Sequence, residues 1–491
     1  MDFVHERVRG VVYAELSGPR RHLLHRRVAE AIEALYPHDL DPHLATLGIH
    51  YWEGEVWDKA ANYLHRAGAQ AVNQSAYREA MERLDLARRA IEHLPRTSAS
   101  LDLAVDVRLE LYHALMPLGQ PRRIAEYLEE ARALAGERDD AGRQGWVWAY
   151  TTNCAWLTGE HGRAVDAGEA ALAIAASLEH PALGFVGRFY LGQARRFRGE
   201  YREAAHLLRQ NVATLDGAAP PAGVRLPGIP GGLSKAWLAW SLAELGEFDE
   251  GVVWGEEALR EAEAANHAFS LADAYRALGC VYALRDDAGA AVDVLERGMT
   301  LCMRQELGLW IPSLGAALGY AYLLAGRYDD GAASIEAAVR KAETQGIGAG
   351  HALRLAWLAE ALLASNRLAE AEEVARRAIT LASERGERGH EAWALRALAE
   401  VLATRPGRPA EASYHRALAL ADALGMAPLT ARCRLGLGRT LGRAGAPTEA
   451  RESLGAASVE FAALGMSRLA QLASRELEAL HRTRRCPPPK V

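Results

Sequence analysis

The chain of 491 residues alternates between amphipathic segments and helix-breaking positions. Within the segments, apolar residues follow i, i+3, i+4, i+7 spacing, which is typical of helices buried on one face. Nine breaking positions recur at spacings of 40, 40, 47, 40, 40, 40, 40 and 39 residues. They are Gly119, Gly159, Gly199, Gly246, Asp286, Gly326, Asn366, Pro406 and Gly445. A period of about 40 residues with two helices per unit predicts a helical solenoid.

The residues inside each unit match the tetratricopeptide pattern. In this pattern the first helix of each pair carries a small residue at its eighth position. Those residues here are Thr152, Gly192, Ala239, Gly279, Gly319 and Ala359. A bulky side chain there would push the pair apart, because the ridges of one helix enter the grooves of the other. We therefore predict an all-α fold, a right-handed solenoid of tetratricopeptide-type helical hairpins.

Irregularities in the period divide the chain. A proline- and glycine-rich stretch accounts for the 47-residue spacing, since it cannot continue either neighbouring helix. The predicted segments are an N-terminal capping helix within 1–36, degenerate helical repeats at 37–100, repeats at 101–215, a Pro/Gly-rich loop at 216–233, repeats at 234–481 and a disordered tail at 482–491.

Composition narrows the class of partner and the compartment. The net charge of −6 provides no basic field that would attract phosphate backbones or anionic lipid. The sequence has no apolar stretch of 18 residues, no signal-peptide pattern and no C-x-x-C pair among its five cysteines. We expect a cytoplasmic protein with no direct nucleic-acid partner and no membrane partner.

Sequence motifs for catalysis and metal binding are missing. The phosphate-binding loop is excluded because the chain contains no Gly-Lys dipeptide. His390 and Glu391 begin like a zinc-protease motif, but Ala394 stands where the second histidine would be. Carboxylate pairs such as Glu372 and Glu373 fall on predicted solvated faces. We expect no enzymatic activity, no metal site and no cofactor.

The inner surface of the solenoid is the candidate binding site. On the tetratricopeptide template it is formed by fixed positions of each first helix, which can be counted from the eighth-position residues. The predicted groove residues are Trp146, Asn153, Trp156, Phe189, Gln193, Arg196, Phe197, Trp240, Glu244, Arg276, Tyr320 and Glu360. Aromatic groups beside a few polar groups are typical of recognition surfaces, although Phe197 and Trp240 fit packing between repeats equally well. The expected partner is a protein or peptide, with a small effector as the alternative.

Parts of the sequence resemble a family of large bacterial signalling proteins. The stretches LPGIP (226–230), KAWLAWSLAELGEF (235–248) and CRLGLGRTLGRAG (433–445) resemble the C-terminal repeat region of proteins that join a class III adenylate/guanylate cyclase to an AAA-type ATPase and then to tetratricopeptide repeats. FVHERVRGVVYAEL (3–16) resembles their junction between a winged-helix element and the first repeat helix. The resemblance carries over no catalytic residue. It is compatible both with a separate gene product and with a fragment of a larger protein of this kind.

The resemblance implies a sensor or scaffold arm in signal transduction, with a cyclase/ATPase module among the expected partners. The alternative is the effector-sensing arm of an ATPase-type transcriptional regulator of the LuxR kind. The sequence has no DNA-binding helix-turn-helix, so any link to DNA in that alternative would be indirect.

Overall fold

A computed structural model describes residues 13, 16–215, 218–406 and 409–483. Across these ranges the protein has α-helices, one short 3-10 helix and no strand, which confirms the predicted all-α solenoid of helical hairpins. The chain forms two compact units, one from residues 1–118 and 123–147 and the other from 119–122 and 148–491. No helix in the described ranges is both long and apolar enough to span a membrane.

The first unit is built from successive helical hairpins. Its helices are α1 (Gly18–Leu35), a 3-10 turn (Asp41–His43), α2 (Leu44–Glu53), α3 (Trp57–Asn73), α4 (Tyr77–Ile91), α5 (Ser98–Leu115) and α6 (Pro121–Arg138). Glycines allow its helices to cross closely: a Cβ on Gly48 would lie 2.7 Å from Leu64 Cγ, and one on Gly68 would lie 2.4 Å from Leu84 Cγ. Most of the predicted junction at 3–16 and the tail beyond 483 lie outside the described residues.

The second unit continues the alternation, and the boundary between the units falls inside α7. The first helices of its hairpins are α7 (Ala141–Thr158), α9 (Pro181–Phe197), α11 (Pro230–Leu245), α13 (Ala268–Leu284), α15 (Ile311–Leu324), α17 (His351–Ala364), α19 (Arg388–Leu402), α21 (Ala427–Arg443) and α23 (Ser467–Thr483). The second helices are α8 (His161–Ser177), α10 (Tyr201–Thr214), α12 (Phe248–Ala264), α14 (Ala288–Arg304), α16 (Tyr328–Gln345), α18 (Leu368–Arg385), α20 (Glu411–Leu424) and α22 (Pro447–Ala463).

Residues with left-handed backbone form the turns. Every predicted turn position except Pro406 has a positive φ, between +59° and +89°. Pro406 is the exception because its ring holds φ negative. A second set of left-handed residues joins one hairpin to the next. Gly346, for example, lies 20 residues after Gly326. This set was not recognised in the sequence because several of its members are not glycine. This second set comprises Asp139, Glu179, Asn266, Glu306, Gly346, Gly386, Gly425 and Gly465.

Close crossings explain the small residues at the eighth position. A Cβ on Gly279 would lie 2.4 Å from Leu295 Cγ. A Cβ on Gly319 would lie 2.5 Å from Ile335 Cγ1 and 2.7 Å from the carbonyl oxygen of Gly331. Since the second contact is with backbone, the two helices would have to separate to admit a larger residue.

The proline-rich connection is shorter than predicted. We predicted a loop over 216–233, but α11 already begins at Pro230. Proline at the first helical position costs nothing, because its missing N–H would have no partner within the helix. Before the helix, the Ile229 amide donates a hydrogen bond to Ser270 Oγ at 2.8 Å.

Two alanine substitutions separate backbone strain from packing. A methyl group on Gly326 or on Gly455 would meet no atom within 4 Å. Gly326 has a φ of +80°, whereas Gly455 lies inside α22. We expect Gly326→Ala to lower the free energy of unfolding by about 1 kcal/mol, because an L-residue is strained in the left-handed region.

Gly455→Ala is the matched control and should be neutral or stabilising by up to about 1 kcal/mol, since alanine is the better helix former. Both values can be measured by urea unfolding followed by circular dichroism. Equal effects of the two substitutions would contradict the assigned turn.

Candidate functional site

The first helices of the second unit are buried on nearly every side. Most residues of α9, α11 and α13 are buried, whereas second helices such as α10 and α14 bury a single face. A helix that is buried all round has neighbours on all sides. Here the additional neighbours are first helices from later in the chain, because α9 contacts α19 and α11 contacts α21. The inner side of these early repeats is therefore filled.

Four aromatic rings occupy this interior. Trp156, Phe197, Trp237 and Trp240 form what we call the central aromatic cluster. The ring centroids of five of the six pairs lie between 5.3 and 6.3 Å apart, and several pairs meet edge to face. This geometry is favourable because the positive edge of one ring meets the negative face of the next.

Two buried arginines lie against the same cluster. The Cζ atoms of Arg196 and Arg276 lie 3.1 and 4.2 Å from the ring centroid of Trp240. Arg196 Nη2 donates to Glu244 Oε1 at 3.0 Å, and Arg276 Nη2 donates to Asp273 Oδ1 at 2.6 Å. Burial lowers the pKa of Arg196 to about 10 in spite of the nearby Glu244 carboxylate. Each guanidinium thus has a carboxylate partner, as a buried charge requires.

A buried histidine–glutamate–histidine group joins distant parts of the unit. Glu387 accepts hydrogen bonds from His161 Nε2 at 2.8 Å and from His390 Nδ1 at 2.7 Å. The side chains of Glu387 and His161 have 0% exposure, and these residues are 226 positions apart. Burial raises the pKa of Glu387, but the two hydrogen bonds outweigh it and hold the pKa at about 2.

Further polar contacts across the interior link residues that are far apart in sequence. Trp393 Nε1 donates to Glu244 Oε2 at 3.4 Å, over 149 positions. At the edge of the interior, the Arg468 side chain is 60% exposed and its Nη2 lies 2.6 Å from Asp286 Oδ1, over 182 positions. The amide of Gly348 donates to the carbonyl oxygen of Leu157 at 2.7 Å. The interior is thus closed by specific bonds as well as by apolar packing.

The structure brings most of the predicted groove residues together, but it buries them. Asn153 Nδ2, for example, donates to Gln193 Oε1 at 3.1 Å inside the unit. Trp146 lies in the first unit and is partly exposed, and the Glu360 side chain is 12% exposed. The buried ones are Asn153, Trp156, Phe189, Gln193, Arg196, Phe197, Trp240, Glu244, Arg276 and Tyr320.

A small space remains within the described part of the interior. This interior cavity has a volume of about 40 Å³. The residues that line it include Trp156, Trp240, Arg276, Trp310, Arg354 and Trp357. Trp156, Trp240 and Arg276 belong to the predicted groove. Trp310, Arg354 and Trp357 were not predicted from the tetratricopeptide template.

Two long connections complete the walls of the interior cavity. Residues 305–310 join α14 to α15, and residues 346–350 join α16 to α17, whereas only residues 386–387 join α18 to α19. They supply Leu309, Trp310, Ile347, Ala349 and Gly350 to the cavity. A sequence signal for the second connection existed, because Gly348 and Gly350 closely follow the turn residue Gly346, where the next helix would otherwise begin.

A second space lies along the five first helices nearest the C-terminus. This C-terminal groove of about 360 Å³, open to solvent, is lined by α15, α17, α19, α21 and α23. No later first helix in the described part of the chain covers it. Its lining residues are Tyr320, Leu323, Leu324, Glu360, Leu363, Ala364, Arg396, Glu400, Arg432, Leu435, Arg439, Arg468, Leu469 and Leu472. Tyr320 and Glu360 were predicted from sequence.

The charged side chains of the C-terminal groove pair with acidic groups. Arg396 forms an ion pair with Glu360, and Arg439 Nη2 lies 3.1 Å from Glu476 Oε1.

Within the described ranges, no group of three or more histidine, cysteine, aspartate or glutamate side chains could hold a metal ion.

Comparisons with known proteins yield similar structures only. No protein-family model and no curated protein matches the sequence. A Rap protein complexed with Competence and Sporulation Factor has 12% identity and a TM-score of 0.45, covering 69% of this chain and 98% of that one. The Rap conjugation gene regulator of plasmid pLS20, in complex with the Phr* peptide, has 12% identity and a TM-score of 0.46, with coverages of 79% and 98%.

The APC/C hetero-tetramer Cut9–Hcn1 has 11% identity and a TM-score of 0.41, with coverages of 98% and 96%. At this level of similarity the matches identify neither a family nor a function for the chain.

Removing the charge of Glu387 tests the histidine–glutamate–histidine group. A carboxylate whose pKa is depressed in the folded state stabilises the fold above its unfolded pKa, and this contribution is lost as the pH falls through the folded value. As the pH falls from the ordinary pKa of 4.5 to the folded value of about 2, the fold loses roughly 3 kcal/mol of stabilisation from Glu387. We expect Glu387→Gln to lower the free energy of unfolding by a similar amount at pH 7.

The measurement is urea unfolding at several pH values, with the exposed Glu373→Gln as control. The wild type and the control should both lose stability between pH 4.5 and pH 2 more steeply than Glu387→Gln does. An unchanged pH profile in Glu387→Gln would show that Glu387 does not stabilise the fold in this way.

Proposed function

We propose that this chain is a non-catalytic tetratricopeptide-type scaffold that binds a protein or peptide partner in its C-terminal groove. The observation that carries the proposal is the set of leucines that four of the five lining helices, α15, α17, α21 and α23, present to the groove, uncovered by any later helix of the described chain. Leu323, Leu363 and Leu472 are only partly buried. Such apolar positions between charged side chains match the apolar core and polar rim of protein interfaces.

The charges of the groove favour recognition by apolar anchors. Arg396 and Arg439 already pair with Glu360 and Glu476. Paired surface charges add little attraction, and salt screens what remains. The partner we propose is therefore an amphipathic segment whose apolar side chains contact the leucines while its polar side chains meet the charged rim.

Within this proposal the chain is a sensor or scaffold arm in signal transduction, with a cyclase/ATPase module among its partners. This part is supported by the sequence resemblance at 226–230, 235–248 and 433–445 alone. The second candidate is the effector-sensing arm of an ATPase-type, LuxR-like regulator.

A pair of matched variants tests the groove. Peptides selected from a random display library against the full chain should carry two or more apolar residues. We expect their Kd, measured by fluorescence anisotropy, to rise at least tenfold in Leu323→Ser/Leu472→Ser, because two apolar contacts are lost. Substitutions of Trp156 or Arg196 would be uninformative, since both are buried and their loss would destabilise the unit.

The control is Val253→Ser/Val459→Ser, which removes two exposed valines of α12 and α22 outside the groove, 51% and 71% exposed. Circular dichroism should show equal helix content in all three proteins. Peptides that bind the groove variant as tightly as the wild type would refute the groove assignment. A cyclase or ATPase that binds the wild type and the control, but not the groove variant, would support the signalling arm.

A further inference from the structure

The C-terminal groove lies where a regular pattern of packing in the second unit stops. In this pattern, the end of one first helix meets the beginning of the first helix ten elements later. The amide of Gly348, just before α17, donates to the carbonyl oxygen of Leu157 near the end of α7. Helix α9 contacts α19, and the ring of Phe197 at the end of α9 lies 5.4 Å from that of His390 near the start of α19.

The next two first helices repeat the pattern. Helix α11 contacts α21, and a Cβ on Gly246, which follows α11, would lie 3.3 Å from Cδ of Pro428, the second residue of α21. Asp286, two residues after α13, pairs with Arg468, the second residue of α23. The ends of α7, α9, α11 and α13 are therefore each covered by a helix from later in the chain.

The turn at the end of α15 has no such cover. A Cβ on Gly159, after α7, would lie 2.9 Å from Arg385 Nη1, and one on Gly199, after α9, would lie 3.1 Å from the amide nitrogen of Gly389. Gly326 has the same place after α15, and a Cβ there would meet no atom within 4 Å. The described chain ends in α23, so no described helix takes the corresponding place on α15.

The walls of the C-terminal groove match this uncovered position. Leu324 is the last residue of α15 and Ala364 is the last residue of α17, and both line the groove. Glu400 contributes from the last turn of α19. Helix α23 contributes its first half, through Leu469 and Leu472. The groove therefore combines the uncovered ends of first helices with the start of the last described one.

We propose that the partner of the C-terminal groove binds as an amphipathic α-helix whose first turn packs against the turn at Gly326. This inference rests on the proposed function and adds the conformation and the direction of the bound segment. The bound helix takes the place on α15 that α17, α19, α21 and α23 have on α7, α9, α11 and α13. Its apolar face contacts Leu323, Leu363 and Leu472.

The partial charges at helix ends favour this direction. The carbonyl groups at the end of α15 carry a partial negative charge, and the N–H groups at the start of a helix carry a partial positive charge. The existing contacts also require small residues there, because a Cβ on Gly348 would clash with the carbonyl oxygen of Thr158. Proline fits as well, as Pro428 does in α21. We expect glycine, serine or proline in the first turn of the bound helix.

The first test asks whether the bound segment is helical, using peptides selected on the full chain from the random display library. At a peptide position where alanine leaves the Kd unchanged, proline should raise the Kd at least about tenfold, because it breaks a helix in its interior. Proline at the first position should leave the Kd unchanged, since its missing N–H would have no partner within the helix. Fluorescence anisotropy measures the Kd, and the alanine peptide is the matched control.

Equal affinity of the alanine peptide and the interior proline peptide would indicate an extended segment and overturn the inference. In that case, loss of binding in Leu323→Ser/Leu472→Ser would still support the groove. Peptides that bind this groove variant as tightly as the wild type would refute the groove and the bound helix together.

A pair of asparagine variants locates the first turn of the bound helix. Asparagine tolerates left-handed backbone, and Asn366 already has a φ of +59° at the equivalent turn after α17. Gly326→Asn should raise the Kd of the same peptides at least about fivefold, because its side chain fills the space that the first turn needs. Gly445→Asn is the matched control, since Gly445 is also left-handed and a Cβ there also meets no atom within 4 Å.

The control should bind with the Kd of the wild type, and circular dichroism should show equal helix content in the three proteins. An unchanged Kd in Gly326→Asn would place the segment elsewhere in the groove and refute the assigned direction. If Gly326→Asn fails to fold, Ala325→Trp, at the exposed position before the turn, replaces it with the same expected loss of affinity.

Discussion

The buried polar contacts between distant first helices hold the second unit closed. In an open helical solenoid each repeat contacts only its neighbours, so stability is a sum of local terms. Here the carboxylate of Glu387 binds His161 across 226 positions, and Glu244 binds both Arg196 and Trp393. A carboxylate buried among aromatic rings is tolerated only with such partners, because an unpaired buried charge is far more costly than an exposed one. The early and late repeats of the unit are thus energetically coupled.

This closure decides where a partner can bind. Aromatic and charged residues on the inner faces of α7, α9, α11 and α13 would line a groove in an open solenoid, but here they form the core. Within the described part of the chain, an open inner face lies along α15 to α23, where no later helix covers it. Tyr320 and Trp357 stack at 4.7 Å where the two spaces meet, since Trp357 lines the cavity and Tyr320 lines the groove.

Local features of the fold could be predicted from the sequence, and long-range features could not. Turn positions such as Gly326 and close crossings such as Gly319 depend on residues of the same helical hairpin, which a repeating pattern displays directly. The second set of turns was missed because Glu179, Asn266 and Glu306 adopt left-handed backbone without being glycine. The meeting of His161 with Glu387 depends on the small rotation of each repeat, summed over many repeats, and no local pattern encodes that sum.

One sequence signal of closure was nevertheless present. The α11 segment PGGLSKAWLAWSLAEL is apolar on all sides, and a helix of that kind is buried all round and does not line an open groove. The same argument applies to the charged residues. Arg196 and Arg276 occupy template positions expected for ligand contact, yet each already has a carboxylate partner within the chain. A guanidinium with such a partner serves mainly to hold the core together. Arg354 is also buried, but it donates to the carbonyl oxygen of Ile347 and has no carboxylate within ion-pair distance among the described residues. Only the structure shows which buried arginines have a carboxylate partner.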